Sequence, residues 1–225
     1  MTKRMIAPLI FGLLGIAILL SLGTWQLRRM VWKETVIAAV AARLQADPVA
    51  IPLDARFERD NYLRVSVSGT LTGEEIHVLS SQKYIGPGFQ IIGKMNTQDG
   101  AILVDLGFVR ETQKNSQRPV GEFTIIGNLL WPDDIDDSFT PDPDIAKNFW
   151  FARDLPVMAQ HLATKPILVV TSKISPTIEG LPTPVPVAAN ISNRHLEYVI
   201  TWFSLAAVWF GMTVYLLWRI RQKTV

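Results

Sequence analysis

MIAPLIFGLLGIAILLSL, from Met5 to Leu22, and YVITWFSLAAVWFGMTVYLL, from Tyr198 to Leu217, are uncharged apolar stretches of 18 and 20 residues near the two ends of the chain. A helix of about 20 apolar residues spans the roughly 30 Å of a bilayer core, so each stretch predicts one crossing. The first exceeds the roughly 7 to 15 apolar residues of a secretory signal, and no small-x-small cleavage site follows, so it is expected to stay as an anchor. Trp218 closes the second at a level where amphipathic rings favour the interface. Everything between the two stretches is polar enough for water. The expected fold class is therefore membrane α+β: two transmembrane helices flanking a mainly antiparallel, barrel-like β module with a short covering helix.

Three domains follow: 1–46, a transmembrane helix with an extramembrane extension; 47–189, a soluble β-rich module; and 190–225, the second transmembrane helix with a basic tail. The helical extension rests on Trp25, Trp32, Val36 and Val40, spaced by seven and four with no Gly or Pro among them, and on Asp47-Pro48 as its end. Past Asp60 the period changes to two, first in Leu63, Val65 and Val67, with Gly69 as a turn or bulge residue. Further strands are predicted at Glu75 to Ser80, Phe89 to Met95, Ala101 to Val109, Glu122 to Leu130 and Pro166 to Ser172. Asp154 to Leu162, with its capping Asp and early Pro, predicts a helix that plugs or covers one end of the barrel. Pro176 to Pro186 reads as an extended tether leading back to the membrane.

Composition removes several functions. The chain has no Cys, which excludes disulfide frameworks, thiolate metal sites and Cys nucleophiles. Five of the 22 basic residues (Lys3, Arg4, Arg219, Arg221, Lys223) lie in the short tails, so the remainder is slightly acidic and lacks the basic stripe a nucleic acid requires. The basic tails place both termini in the cytoplasm and the module in the periplasm by the positive-inside tendency. With no Arg- and Ser-rich leader ahead of Met5, a bacterial inner membrane is expected. The acidic stretch Asp133, Asp134, Asp136, Asp137, Asp142 and Asp144 lacks the Gly and Glu register of a calcium loop and reads as solvated. No nucleophile elbow, P-loop or dinucleotide fingerprint occurs, so no enzyme is expected.

What chemistry is left gathers at Asn193-Arg194-His195, just ahead of the second stretch. With 100° per residue, Tyr198, Trp202, Ala206, Trp209 and Thr213 fall within about 60° of His195. An imidazole above an aromatic stripe with small residues offers one nitrogen ligand and a flat apolar wall, the two things an iron macrocycle needs. Spacing alone favours the plainer reading, in which His195, with Asn193 and Arg194, satisfies the helix start and the lipid headgroups.

Two motifs carry a family resemblance. Gly23-Thr24-Trp25-Gln26-Leu27-x-Arg29-x-x-Trp32-Lys33 and Asn193-x-His195-Leu196-x-Tyr198-x-x-Thr201-Trp202-Phe203-x-Leu205-Ala206 resemble the signatures of the Surfeit locus protein 1 family, assembly factors of haem-copper cytochrome c oxidase. Weaker matches lie at Gly86-Pro87-Gly88-Phe89 and Asn148-x-Trp150-x-x-x-Asp154, while the family's Arg-Gly-Trp reads Leu106-Gly107-Phe108 here. The resemblance implies a haem chaperone for respiratory-chain biogenesis that assists haem a delivery, with His195 on iron and Tyr198, Trp202 and Ala206 against the macrocycle. It also implies the oxidase catalytic subunit, and the haem a synthase, as partners. The alternative is a membrane-tethered scaffold that binds protein and not haem, with Trp25, Arg29 and Trp32 on one helix face as its contact or anchor.

Overall fold

The computed structural model describes residues 3–136, 138–188 and 193–222. Its elements are α1 (Lys3–Gln45), α2 (Phe57–Asp60), β1 (Arg64–Gln82), β2 (Gly86–Thr97), β3 (Gly100–Arg110), β4 (Gly121–Leu129), α3 (Leu155–His161), β5 (Leu168–Ser175) and α4 (His195–Gln222). They form two compact units, one of residues 1–39 with 189–225 and one of residues 40–188. Of the residues singled out above, Asp137 and Lys223 lie outside the described set.

The first unit is a pair of helices, both long and apolar enough to cross a membrane. They run antiparallel, and glycines set their separation. A methyl group added at Gly12 would meet Thr213 at 2.2 Å, one at Gly15 would meet the Trp209 indole at 2.4 Å, and one at Gly23 would meet the Phe203 ring at 3.0 Å. Along α4 the shielded positions include His195, Val199, Trp202, Ala206, Trp209 and Thr213, at alternating spacings of four and three. That repeat keeps one stripe of a helix facing its neighbour. The small pairs Ala17 with Ser21 and Ala207 with Gly211 satisfy the sequence spacing for close helix approach, yet they are exposed, and nothing lies within 4 Å of a methyl at Gly211. The facing stripe is decided by bulk on both helices, and Leu and Phe flanking the exposed pairs prefer the apolar surround.

The second unit is a closed barrel with strand order β1-β2-β3-β5-β4. Neighbours are antiparallel except β3 and β5, which pair in parallel over only Leu103↔Leu168, Val104↔Val169 and Asp105↔Val170. Val65, Ile91, Val104, Ile125 and Val169, all fully buried, belong to the interior core. The first two predicted strands are one 19-residue strand. β1 pairs with β4 from Arg64 to Leu71 and with β2 from Thr70 onward, its register shifting between Leu71 and Glu75. Gly73 at φ +84° supplies the bend. Both halves find partners, so the kink does not end the strand.

The α3 helix begins as predicted, with Asp154 accepting a hydrogen bond from the Val157 amide at 3.1 Å. Its position differs from the expectation. Leu155, Met158, Ala159 and Trp150 pack on Ile76, Ile92, Leu103 and Leu168, whose neighbours along each strand alternate to the interior, so α3 covers an outer face rather than an end. The proline-rich segment is extended but docked. Phe108 and Thr183 exchange backbone hydrogen bonds of 2.8 and 3.0 Å. Gly107, at φ +119°, makes room for that contact, since a methyl there would lie 2.1 Å from the Thr183 carbonyl oxygen.

Candidate functional site

His195 is the first residue of α4, and its imidazole meets α1. His195 Nδ1 lies 2.7 Å from Oε1 of Gln26. An amide oxygen only accepts, so with this amide orientation Nδ1 is the donor, and in the neutral ring the lone pair is then on Nε2. A neutral imidazole with a free Nε2 is the form that ligates metals, and a hydrogen bond to the other nitrogen fixes the ring and raises its basicity. One turn further along α1, the Met30 carbonyl accepts from Asn193 Nδ2 at 3.4 Å, which anchors the entry to α4. Gln26 was not among the residues chosen from spacing. The signal was available: Gln26 is a polar residue three positions beyond Gly23, on the stripe that runs through Gly12, Gly15 and Gly23.

The other predicted residues separate. Trp202 is half-buried on the same stripe, seven residues and roughly 10 Å along the helix from His195. Ala206 is 4% exposed, enclosed in the helix seam, and so offers no open wall. Tyr198 is 54% exposed and turns away from the stripe, which departs from the arc expected of an ideal helix beginning at Asn193. Trp209 Nε1 is buried without a hydrogen-bond partner against Gly15. Trp25 and Trp32 are both more than half exposed, and the Arg29 guanidinium sits 4.1 Å over the Trp32 ring. The three therefore share one outward face, apart from Gln26.

The remaining histidines have local duties. His77 Nε2 lies 2.6 Å from Glu75, whose carboxylate also pairs with Arg118 at 3.2 Å. His161 packs at a tilt against Trp150, 5.8 Å between ring centroids. Among the described residues, no group of three or more His, Asp or Glu side chains could hold a metal ion. A site with one protein ligand suits a metal brought inside its own macrocycle, which supplies the equatorial donors.

A buried polar cluster occupies the barrel seam. Asp105 is 1% exposed and accepts from the Gly107 amide at 3.1 Å and from Gln90 Nε2. Arg153 lies 3.8 Å from Asp105 and holds Asp134 through bonds of 2.5 and 3.1 Å. Burial pushes the Asp105 carboxyl up to about 7, against the opposing pull of Arg153, Gly107 and Gln90. Asp134 thus belongs to an ion pair, where the sequence predicted a solvated loop.

A helix pair of membrane-crossing length, with His195 at the start of its second helix, and a five-stranded barrel module define a two-unit, barrel-bearing protein. Residues 13–207 match the SURF1 family, and the chain belongs to it. It is 31% identical to a SURF1-like protein of Monosiga brevicollis over 87% of this chain and 82% of the relative. It is 30% identical to Surfeit locus protein 1 of Xenopus tropicalis (83% and 68% covered) and 28% identical to that of Homo sapiens (84% and 72%).

Proposed function

We propose that this protein assists assembly of haem-copper cytochrome c oxidase by holding haem a transiently on His195 and passing it to the catalytic subunit. Membership of the SURF1 family supports the assembly role. The hydrogen bond between Gln26 and His195 is the observation that carries the haem step, because it leaves Nε2 as the available donor. The donor set fits: one imidazole, no thiolate in a chain without Cys, and the indole of Trp202 further along the same face.

In this reading His195 gives one axial bond, Gln26 holds the ring, and the chain makes or breaks no covalent bond in the cargo. Single ligation favours release, since a carrier must bind its cargo less tightly than the acceptor does. The setting is a bacterial inner membrane, with α1 and α4 crossing it and the barrel module on the periplasmic side. The oxidase subunit and the haem a synthase are the partners. Protein purified in detergent from cells that make haem a is expected to show a Soret band that His195→Ala loses. Equal absorbance in both overturns the assignment.

The exposed face of Trp25, Arg29 and Trp32 favours a second reading, a scaffold that contacts protein alone. It predicts that Trp25→Ala with Trp32→Ala abolishes oxidase assembly while His195→Ala leaves it intact.

A further inference from the structure

The parallel seam of the barrel opens into a cleft that the haem reading does not use. Its volume is 520 Å³, within the range of ligand sites, and it is lined by residues of the second unit only. Phe57 and Trp131 form one wall, edge to face at 6.5 Å between centroids. Leu130 and Val170 add apolar surface, and the docked segment Val185 to Ala188 forms the opposite rim.

Two properties of the cleft specify an occupant. The first is charge. Asp133, Asp134 and Arg153 line the mouth, and Arg153 is engaged by Asp134, so Asp133 is an exposed carboxylate with no cation among the described residues. Asp105, buried beneath Gln90 and Arg153, is outside the lining and adds no exposed charge, so the net charge at the mouth comes from Asp133. The second is backbone. After Thr183 the rim runs extended, and the N–H groups of Val185 and Val187 have no hydrogen-bond partner among the described residues. Pro184 and Pro186 alternate with them, so the rim offers its donors at every second residue, the period of a strand.

We propose that this cleft binds an extended, apolar segment of a partner protein carrying a lysine or arginine, which lies beside Val185 and Val187 as an added strand. The backbone groups of the rim give affinity, the Phe57 and Trp131 rings take an apolar side chain, and Asp133 takes the cation. The unpaired Asp133 carboxylate disfavours an acidic segment.

The test uses the full chain in lipid nanodiscs with ¹⁵N-valine labelling, titrated with acetyl-Val-Lys-Val-Phe-Val-amide and with its counterpart carrying Glu in place of Lys. The expected result is movement of the Val185 and Val187 amide resonances by the Lys peptide, with affinity about ten-fold above the Glu peptide. Asp133→Asn, an exposed change that leaves the core untouched, is expected to erase most of that ratio. Equal binding of the two peptides, or binding that leaves Val185 and Val187 unmoved, overturns the proposal. Movement of those amides by a short-chain phospholipid and by neither peptide overturns it in favour of an amphiphile site.

Discussion

The Gln26 amide fixes the orientation of the His195 ring, which the proposed role as iron ligand requires. Among the described residues Gln26 is the hydrogen-bond partner of His195 Nδ1, so replacing Gln26 with Leu frees the ring to rotate and to exchange tautomers. In Gln26→Leu, the ¹⁵N shifts of His195 are expected to change from a single Nδ1-protonated form to a mixture. Haem affinity is expected to fall about 10- to 100-fold, the usual effect of removing a group that orients a metal ligand. Gln26→Glu, which preserves the acceptor, is expected to retain binding. The position of His195 was legible in the sequence because an ionisable residue at the mouth of an apolar stretch stands out. Its partner was not, because Gln26 lies 169 residues away and only the antiparallel pairing of α1 with α4 brings them together.

At the scale of elements, periodicity identified both long helices, the β module and the covering helix. It misjudged where elements break and which part of the barrel α3 covers. The run from Leu63 to Ser80 contains Gly69, Gly73 and polar residues that in isolation mark a turn, and only pairing to β4 on one half and β2 on the other makes it continuous. Small residues spaced by four likewise permit close helix approach without choosing the face. The contrast is testable. Gly15→Ile is expected to lower stability toward SDS unfolding by about 1–3 kcal/mol, because the new side chain would collide with the Trp209 indole in the helix seam. Gly211→Ile, facing open space, is expected to stay within about 0.5 kcal/mol. Equal effects of the two would contradict the observed helix faces.

For the molecule as a whole, the seam between β3 and β5 joins stability to pH. An unfolded aspartate titrates near 4, whereas Asp105 in the fold is raised to about 7, so the folded state holds the proton more tightly. The stabilisation is therefore fully present below about pH 4 and is lost as pH rises through about 7. Urea unfolding of the wild type is expected to weaken across that window, and Asp105→Asn is expected to flatten the dependence. No spacing in the sequence marks Asp105, since its burial depends on α3 and Arg153 closing the outer face of the barrel. The central claim remains the iron ligand. Electron paramagnetic resonance of the ferric haem complex, prepared with ¹⁵N-histidine, measures it most directly: the account predicts histidine nitrogen coupling to iron that disappears in His195→Ala, and coupling that survives the substitution would contradict it.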